Sequence, residues 1–135
     1  MANPNIVAVS SIYGNTAQVI PSSANTNTLS WTYNGTTTLT GLTPATGTVN
    51  KIDSIVVTNL TTSAVTCQVA VGNNGTFGSA TVITYLAYNV SVPPNASLIV
   101  TDKTTSFYVT ENQSIAVQSS SANNLTFTAS FEAIS

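Results

Sequence analysis

Histidine and arginine are absent from this chain of 135 residues, and cysteine, methionine and tryptophan occur once each. Two lysines and four carboxylates are the only formally charged side chains, 4% of the chain, and the net charge is −2. Each shortage excludes something. Without histidine there is no imidazole general base and no histidine-based metal site. Two lysines cannot neutralise the run of phosphates that nucleic-acid binding needs, so no nucleic-acid partner is expected. The single Cys67 cannot close an internal disulfide. No apolar run approaches the roughly 18 residues of a membrane helix, so no membrane partner is expected. Residues 1–20 hold neither the positive charge nor the apolar stretch of a signal peptide, which points to synthesis in a cytoplasm. Disorder is also excluded, because 42% of residues are hydrophobic and the net charge is small.

What is abundant is small, polar and uncharged. Serine, threonine and asparagine number 17, 24 and 15. Valine, isoleucine, threonine and tyrosine recur in short runs bounded by turn residues, and no segment shows helical periodicity. Short strands punctuated at regular intervals indicate a sandwich or barrel. The pattern predicts strands at 5–13, 16–21, 27–34, 49–59, 64–72, 80–92, 97–102, 105–110, 114–119 and 124–134. The last is the clearest: Leu125, Phe127, Ala129, Phe131 and Ala133 alternate with Thr126, Thr128, Ser130 and Glu132. Val65, Cys67, Val69 and Val71 form a second apolar stripe, Leu29, Trp31 and Tyr33 a third. In 80–92, Val82, Leu86, Tyr88, Val90 and Val92 share one parity. Residues 52–60 do not alternate strictly, which implies cover on both faces or a bulge near Ser54. Glu111-Asn112 reads as a tight hairpin with Asn112 in the left-handed position. Residues 35–48 carry no core stripe and read as a loop or a loosely paired arm.

These elements predict an all-β fold: an antiparallel β-sandwich, with a jelly roll preferred and an immunoglobulin-like sandwich as the alternative. The expected division is an N-terminal strand arm over 1–24 and a sandwich domain over 25–135.

Catalytic chemistry has little to work with. Cys67 lies on an apolar stripe with no base in reach of the pattern, so a buried structural thiol is expected. Four carboxylates could in principle supply a glycosidase pair. Asp53, however, shares a face with Lys51; Asp102 and Glu111 sit at a strand end and in a turn; Glu132 is on the polar face of the last strand. The expectation is a non-enzymatic protein with no catalytic residue, no cofactor and no metal. Trp31, Tyr33, Tyr85, Tyr88 and Tyr108 could stack on sugar rings, but Trp31 and Tyr33 belong to the core pattern. A carbohydrate-binding module is therefore a second class of function.

The strings KIDSIVVTN at 51–59, VSVPPNASLIVTDK at 90–103, FYVTENQSI at 107–115, SANNL at 121–125 and SFEAIS at 130–135 carry a resemblance. So, more faintly, does VSSIYG at 9–14. Together they resemble a group of small virion proteins of tailed phages, common among cyanophages and other marine phages. More generally the chain is similar to the jelly-roll decoration, or cement, proteins of phage heads. The resemblance implies a capsid-surface protein that binds across joints of the major capsid protein and holds them by added contact area. It also implies a homo-oligomer, with a trimer expected from the symmetry of capsid sites. A neck, tail or fibre component is the alternative within a virion. The apolar N-terminal strands suit a docking arm, which makes Ile6, Val7, Val9, Ile12 and Tyr13 the candidate partner-binding residues.

Overall fold

A computed structural model describes residues 8–73 and 82–135. Ten strands are described: β1 (Ile12–Val19), β2 (Ser30–Tyr33), β3 (Thr37–Thr40), β4 (Val49–Asn59), β5 (Val65–Asn73), β6 (Val82–Val92), β7 (Ser97–Thr101), β8 (Phe107–Val109), β9 (Gln113–Ser119) and β10 (Leu125–Ile134). They form two antiparallel sheets, an all-β sandwich. The larger has seven strands in the order β3-β2-β1-β10-β4-β7, with β8 also paired to β4; the smaller has the order β6-β5-β9.

The alternation in β10 explains its central place. Leu125, Phe127, Ala129 and Phe131 are buried, and the threonines between them face outward half-exposed. Antiparallel neighbours β1 and β4 extend the same two faces. β4 does contain a bulge: Ser130 pairs with Ser54 and Phe131 with Ile52, which leaves Asp53 unpaired. That extra residue puts Ile52 and Ile55, three apart, on the same buried side. β7 and β8 run in succession along one edge of β4, separated by a 3-10 turn at Lys103–Thr105. Asp102 caps that turn by accepting from the Thr104 N–H at 2.9 Å.

The described part of the N-terminal segment belongs to the large sheet. Residues 12–19 form one strand in the interior of the large sheet, between β10 and β2. The first predicted strand lies partly outside the described residues. Of the two readings of 35–48, a loop or a loosely paired arm, the paired one is nearer: β3 pairs with β2 through an Asn34-Gly35 turn whose φ angles are +53° and +76°. Behind it Leu42 is fully buried, and its carbonyl accepts from Asn50 Nδ2 at 2.8 Å. The turn after β8 closes through Gln113 N–H to Thr110 O at 2.9 Å, and Asn112 does not take a left-handed conformation.

Among the described residues the small sheet has no fourth strand of its own, yet the outer edge of β9 is closed. Thr28 exchanges both backbone hydrogen bonds with Val117, at 2.8 and 3.0 Å. The Ile115 N–H donates to Gly41 O at 2.7 Å, and the Ile115 carbonyl accepts from Trp31 Nε1 at 3.0 Å. The chain thus passes beside β9, crosses to the large sheet as the β2–β3 hairpin, and returns to β9 at Gly41. Trp31, fully buried, fastens the crossing.

Candidate functional site

The groups that could carry chemistry sit in separate places. Cys67 is buried on the inner face of β5, and desolvation raises its thiol pKa to about 11. At neutral pH it is a protonated thiol, not a nucleophile. Lys51 Nζ lies 3.6 Å from Asp53 Oδ1 and 3.7 Å from Glu132 Oε2 on the outer face of the large sheet. One ammonium therefore bridges two carboxylates at a half-exposed site. Hydrogen bonds from Thr104, side chain and backbone, lower the Asp102 pKa. Glu111 Oε2 accepts from the Gly47 N–H at 3.3 Å, tying the β8–β9 turn to the loop before β4. Among the described residues no group of three or more His, Cys, Asp or Glu could hold a metal ion.

The aromatic residues divide as burial dictates. Trp31 has no exposed surface to offer a sugar. Tyr33 packs edge-on against Phe131, ring centroids 6.3 Å apart. Tyr85, Tyr88 and Tyr108 are exposed.

The sequence-derived partner residues can now be placed. Ile6 and Val7 lie outside the described residues. Val9 is half-buried just before β1. Ile12 and Tyr13 open β1 and are 57% and 67% exposed, large apolar side chains in water at one end of the sandwich. Tyr13 pairs with Ala133, and Ile12 with Ile134. Ala133 is one wall of a shallow groove lined also by Asn15, Tyr33, Leu39, Pro44 and Phe131. This groove lies where the large sheet extends past the small one, at the β1–β3 end. Its lining is mostly apolar and includes no charged side chain.

Sequence reasoning missed Leu39 and Pro44 in this groove because a threonine-rich stretch hid the strand. The available signal was Asn34-Gly35, a strong hairpin dipeptide, followed by Leu39 and Leu42. The stripe proposed for 80–92 holds at Leu86, Val90 and Val92, which lie in or against the core, and breaks at Tyr88, which is exposed while Ala87 is buried. Residues 80 and 81 of that predicted strand lie outside the described residues. Just before β1 the backbone pairs with the last residue: Ser135 N–H donates to Ser11 O at 3.0 Å and Ser10 N–H donates to Ser135 O at 2.6 Å. Ile12 and Tyr13 thus stand on paired backbone. Comparison with protein-family models, with curated proteins and with solved structures finds no match.

Proposed function

We propose that this chain is a non-enzymatic structural protein of a tailed-phage virion, a decoration protein that stabilises the head by binding across joints of the major capsid protein. The observation that carries this reading is Tyr13, 67% exposed and in register with Ala133, a wall of an apolar groove without charged side chains, with Ile12 57% exposed on the other face of the same strand end. Burying these side chains supplies affinity through apolar area, at about 25 cal/mol per Å², without dependence on salt. The motif strings that resemble phage virion proteins fall on β4, on the β6–β7 corner, on β8–β9 and on β10.

The strand pairing supports a jelly roll. A jelly roll is one long antiparallel ribbon rolled upon itself, so that strands pair first with last and inward from there. Here β1 pairs with β10, residues 25–28 run beside β9, β4 pairs with β7 and β8, and β5 pairs with β6. Rolling then brings β10 beside β4 and β9 beside β5. In this reading the second strand is interrupted by the β2–β3 hairpin. A homotrimer placed at a symmetry point of the head is the assembly we propose.

Quantitative mass spectrometry of purified virions tests the reading. A copy number comparable to that of the major capsid protein, or one per few subunits, is the expected result. A handful of copies per particle would move the chain to the neck or tail, and absence from virions would refute the reading. Tyr13→Ser should release the protein from heads while leaving its β spectrum intact.

A further inference from the structure

β6 is an edge strand of the small sheet, and its two tyrosines are misplaced by the ordinary rule. Residues three apart in a regular strand point to opposite faces. Tyr85 and Tyr88 instead meet edge to face, ring centroids 4.8 Å apart, and are 43% and 60% exposed. The pairing with β5 shows the cause. Ala70 faces Tyr85 and Val69 faces Ala87, so Leu86 has no partner of its own. That bulge turns Tyr88 to the outer side, where Tyr85 already is, while Ala87 stays buried. A second irregularity follows: Val69 faces Ala87 and Cys67 faces Val90, so Gln68 alone opposes Tyr88 and Asn89. Asn89 absorbs it with a left-handed φ of +50°.

The second irregularity sets an amide beside the rings. Gln68 Nε2 donates to Asn89 Oδ1 at 2.7 Å. Gln68 is in register with Gln118 on β9, and Gln118 Nε2 reaches Asn27 Oδ1 at 3.5 Å. A row of carboxamides, Asn89, Gln68, Gln118 and Asn27, therefore crosses the outer face of the small sheet, with the tyrosine pair at its edge. β5, β6 and β9 contain no Asp, Glu, Lys or Arg.

We propose that this face binds a neutral glycan. The Tyr88 ring would stack on the C–H face of a pyranose, with Asn89 and Gln68 hydrogen-bonding vicinal hydroxyls. Both halves of the surface suit that ligand. An aromatic face is electron-rich and attracts the weakly positive C–H groups of a sugar. A carboxamide both donates and accepts, as adjacent sugar hydroxyls do. An apolar protein partner would instead bury the amide row without partners, at a cost for each group. An anionic sugar or phosphate would find no cation on these strands. The inference does not depend on the virion reading, because the face belongs to the sheet opposite the Ile12–Tyr13 rim.

The test is an array of neutral gluco-, galacto-, manno- and N-acetylglucosamine oligosaccharides, with sialylated and sulfated glycans as charged controls. Titration calorimetry of the full chain follows on any hit. The expected result is binding to a neutral glycan that persists at about 1 M NaCl. It should weaken about tenfold or more in Tyr88→Ala and in Gln68→Ala. Tyr108→Ala, on the other sheet, should bind as the parent does. Circular dichroism checks that each variant is folded. No neutral glycan bound at millimolar concentration, binding confined to charged glycans, or full affinity retained in folded Tyr88→Ala would each overturn the proposal.

Discussion

Trp31 separates the two readings of the aromatic residues, and its replacement has a magnitude that can be worked out. The indole is fully buried, and Nε1 donates to the Ile115 carbonyl at 3.0 Å. That carbonyl points away from β5, toward the crossing chain, and the indole closes the ladder edge there. Truncation to alanine removes the packing of a large aromatic, about 3–5 kcal/mol, and leaves a cavity. It also strands a buried carbonyl, about 1–3 kcal/mol. Together these approach the roughly 5–15 kcal/mol that holds a typical domain folded. Trp31→Ala should therefore be largely unfolded or barely stable. Trp31→Phe keeps most of the volume and loses mainly the hydrogen bond. It should fold with a loss of about 1–3 kcal/mol, or a Tm lower by roughly 4–12 °C. Urea unfolding followed by far-UV circular dichroism reads both variants. The parent chain offers a further check, because its only tryptophan should emit as a buried indole and resist acrylamide quenching. A Trp31→Ala variant within about 0.5 kcal/mol of the parent would refute the packing argument. A neutral Trp31→Phe would refute the hydrogen-bond part of it.

Gly41→Ala should destabilise by about 2–4 kcal/mol, because the position has φ +66° and an added Cβ would collide with the Ser114 side chain; an unchanged Tm would be fatal to that argument. Cys67 is held by burial at a pKa of about 11 against an ordinary 9.0, so the unfolded chain ionises first. Its contribution is complete below pH 9.0 and disappears as pH rises to about 11. A thiol reagent at about pH 8 should label Cys67 no faster than the protein opens, and rapid labelling without denaturant would contradict the assignment. Lys51→Met should change stability by less than about 1 kcal/mol, since both of its ion pairs are partly solvated. For the same reason the parent Tm in dilute buffer and at about 1 M NaCl should agree within about 2 °C, and a larger shift would mean that charge matters here more than its scarcity implies.

The legible part of the fold was the part with strict period two. β10 and β4 match the predicted spans to within a residue, and the bulge expected near Ser54 is present, at Asp53. Where the structure departs, the period itself is interrupted. β6 reverses parity at Leu86, so a stripe counted by twos places Tyr88 on the wrong side. β3 consists of three threonines and Leu39, and threonine marks a strand without marking a face. β1 has only Ala17 and Val19 buried, small residues that leave no apolar stripe to read, which made an interior strand look like an appendage. For the candidate surface, Ile12 and Tyr13 were chosen with Ile6, Val7 and Val9 because the N-terminal strands are rich in apolar residues. The groove near Tyr13 was not legible, because it is assembled from β1, β2, β3, β10 and the loop before β4. The amide row on the small sheet was equally hidden: Gln68 and Gln118 become neighbours only through the β5–β9 register.

The interior position of β1 also changes how an apolar N-terminal strand can contribute to assembly. A strand paired on one side only is a candidate for exchange between copies, because it can leave one edge and find another. β1 is paired along its whole length with β10, from Ile12 against Ile134 to Val19 against Phe127, and again with β2 at Ala17 and Gln18. Withdrawing it would open the large sheet in the middle, unpair two neighbours and expose Phe127 and Phe131. Deleting residues 1–21 would therefore take away a structural strand rather than a tether. What β1 leaves free is its first two side chains. Ile12 and Tyr13 protrude from a backbone held along one edge by β10, a pairing that Ser11 and Ser135 continue past the strand end. A contact built on them is rigid before binding and loses little backbone entropy when it forms. That is the thermodynamic advantage of a sandwich whose first and last strands are neighbours: β10 fixes the backbone from which Ile12 and Tyr13 protrude.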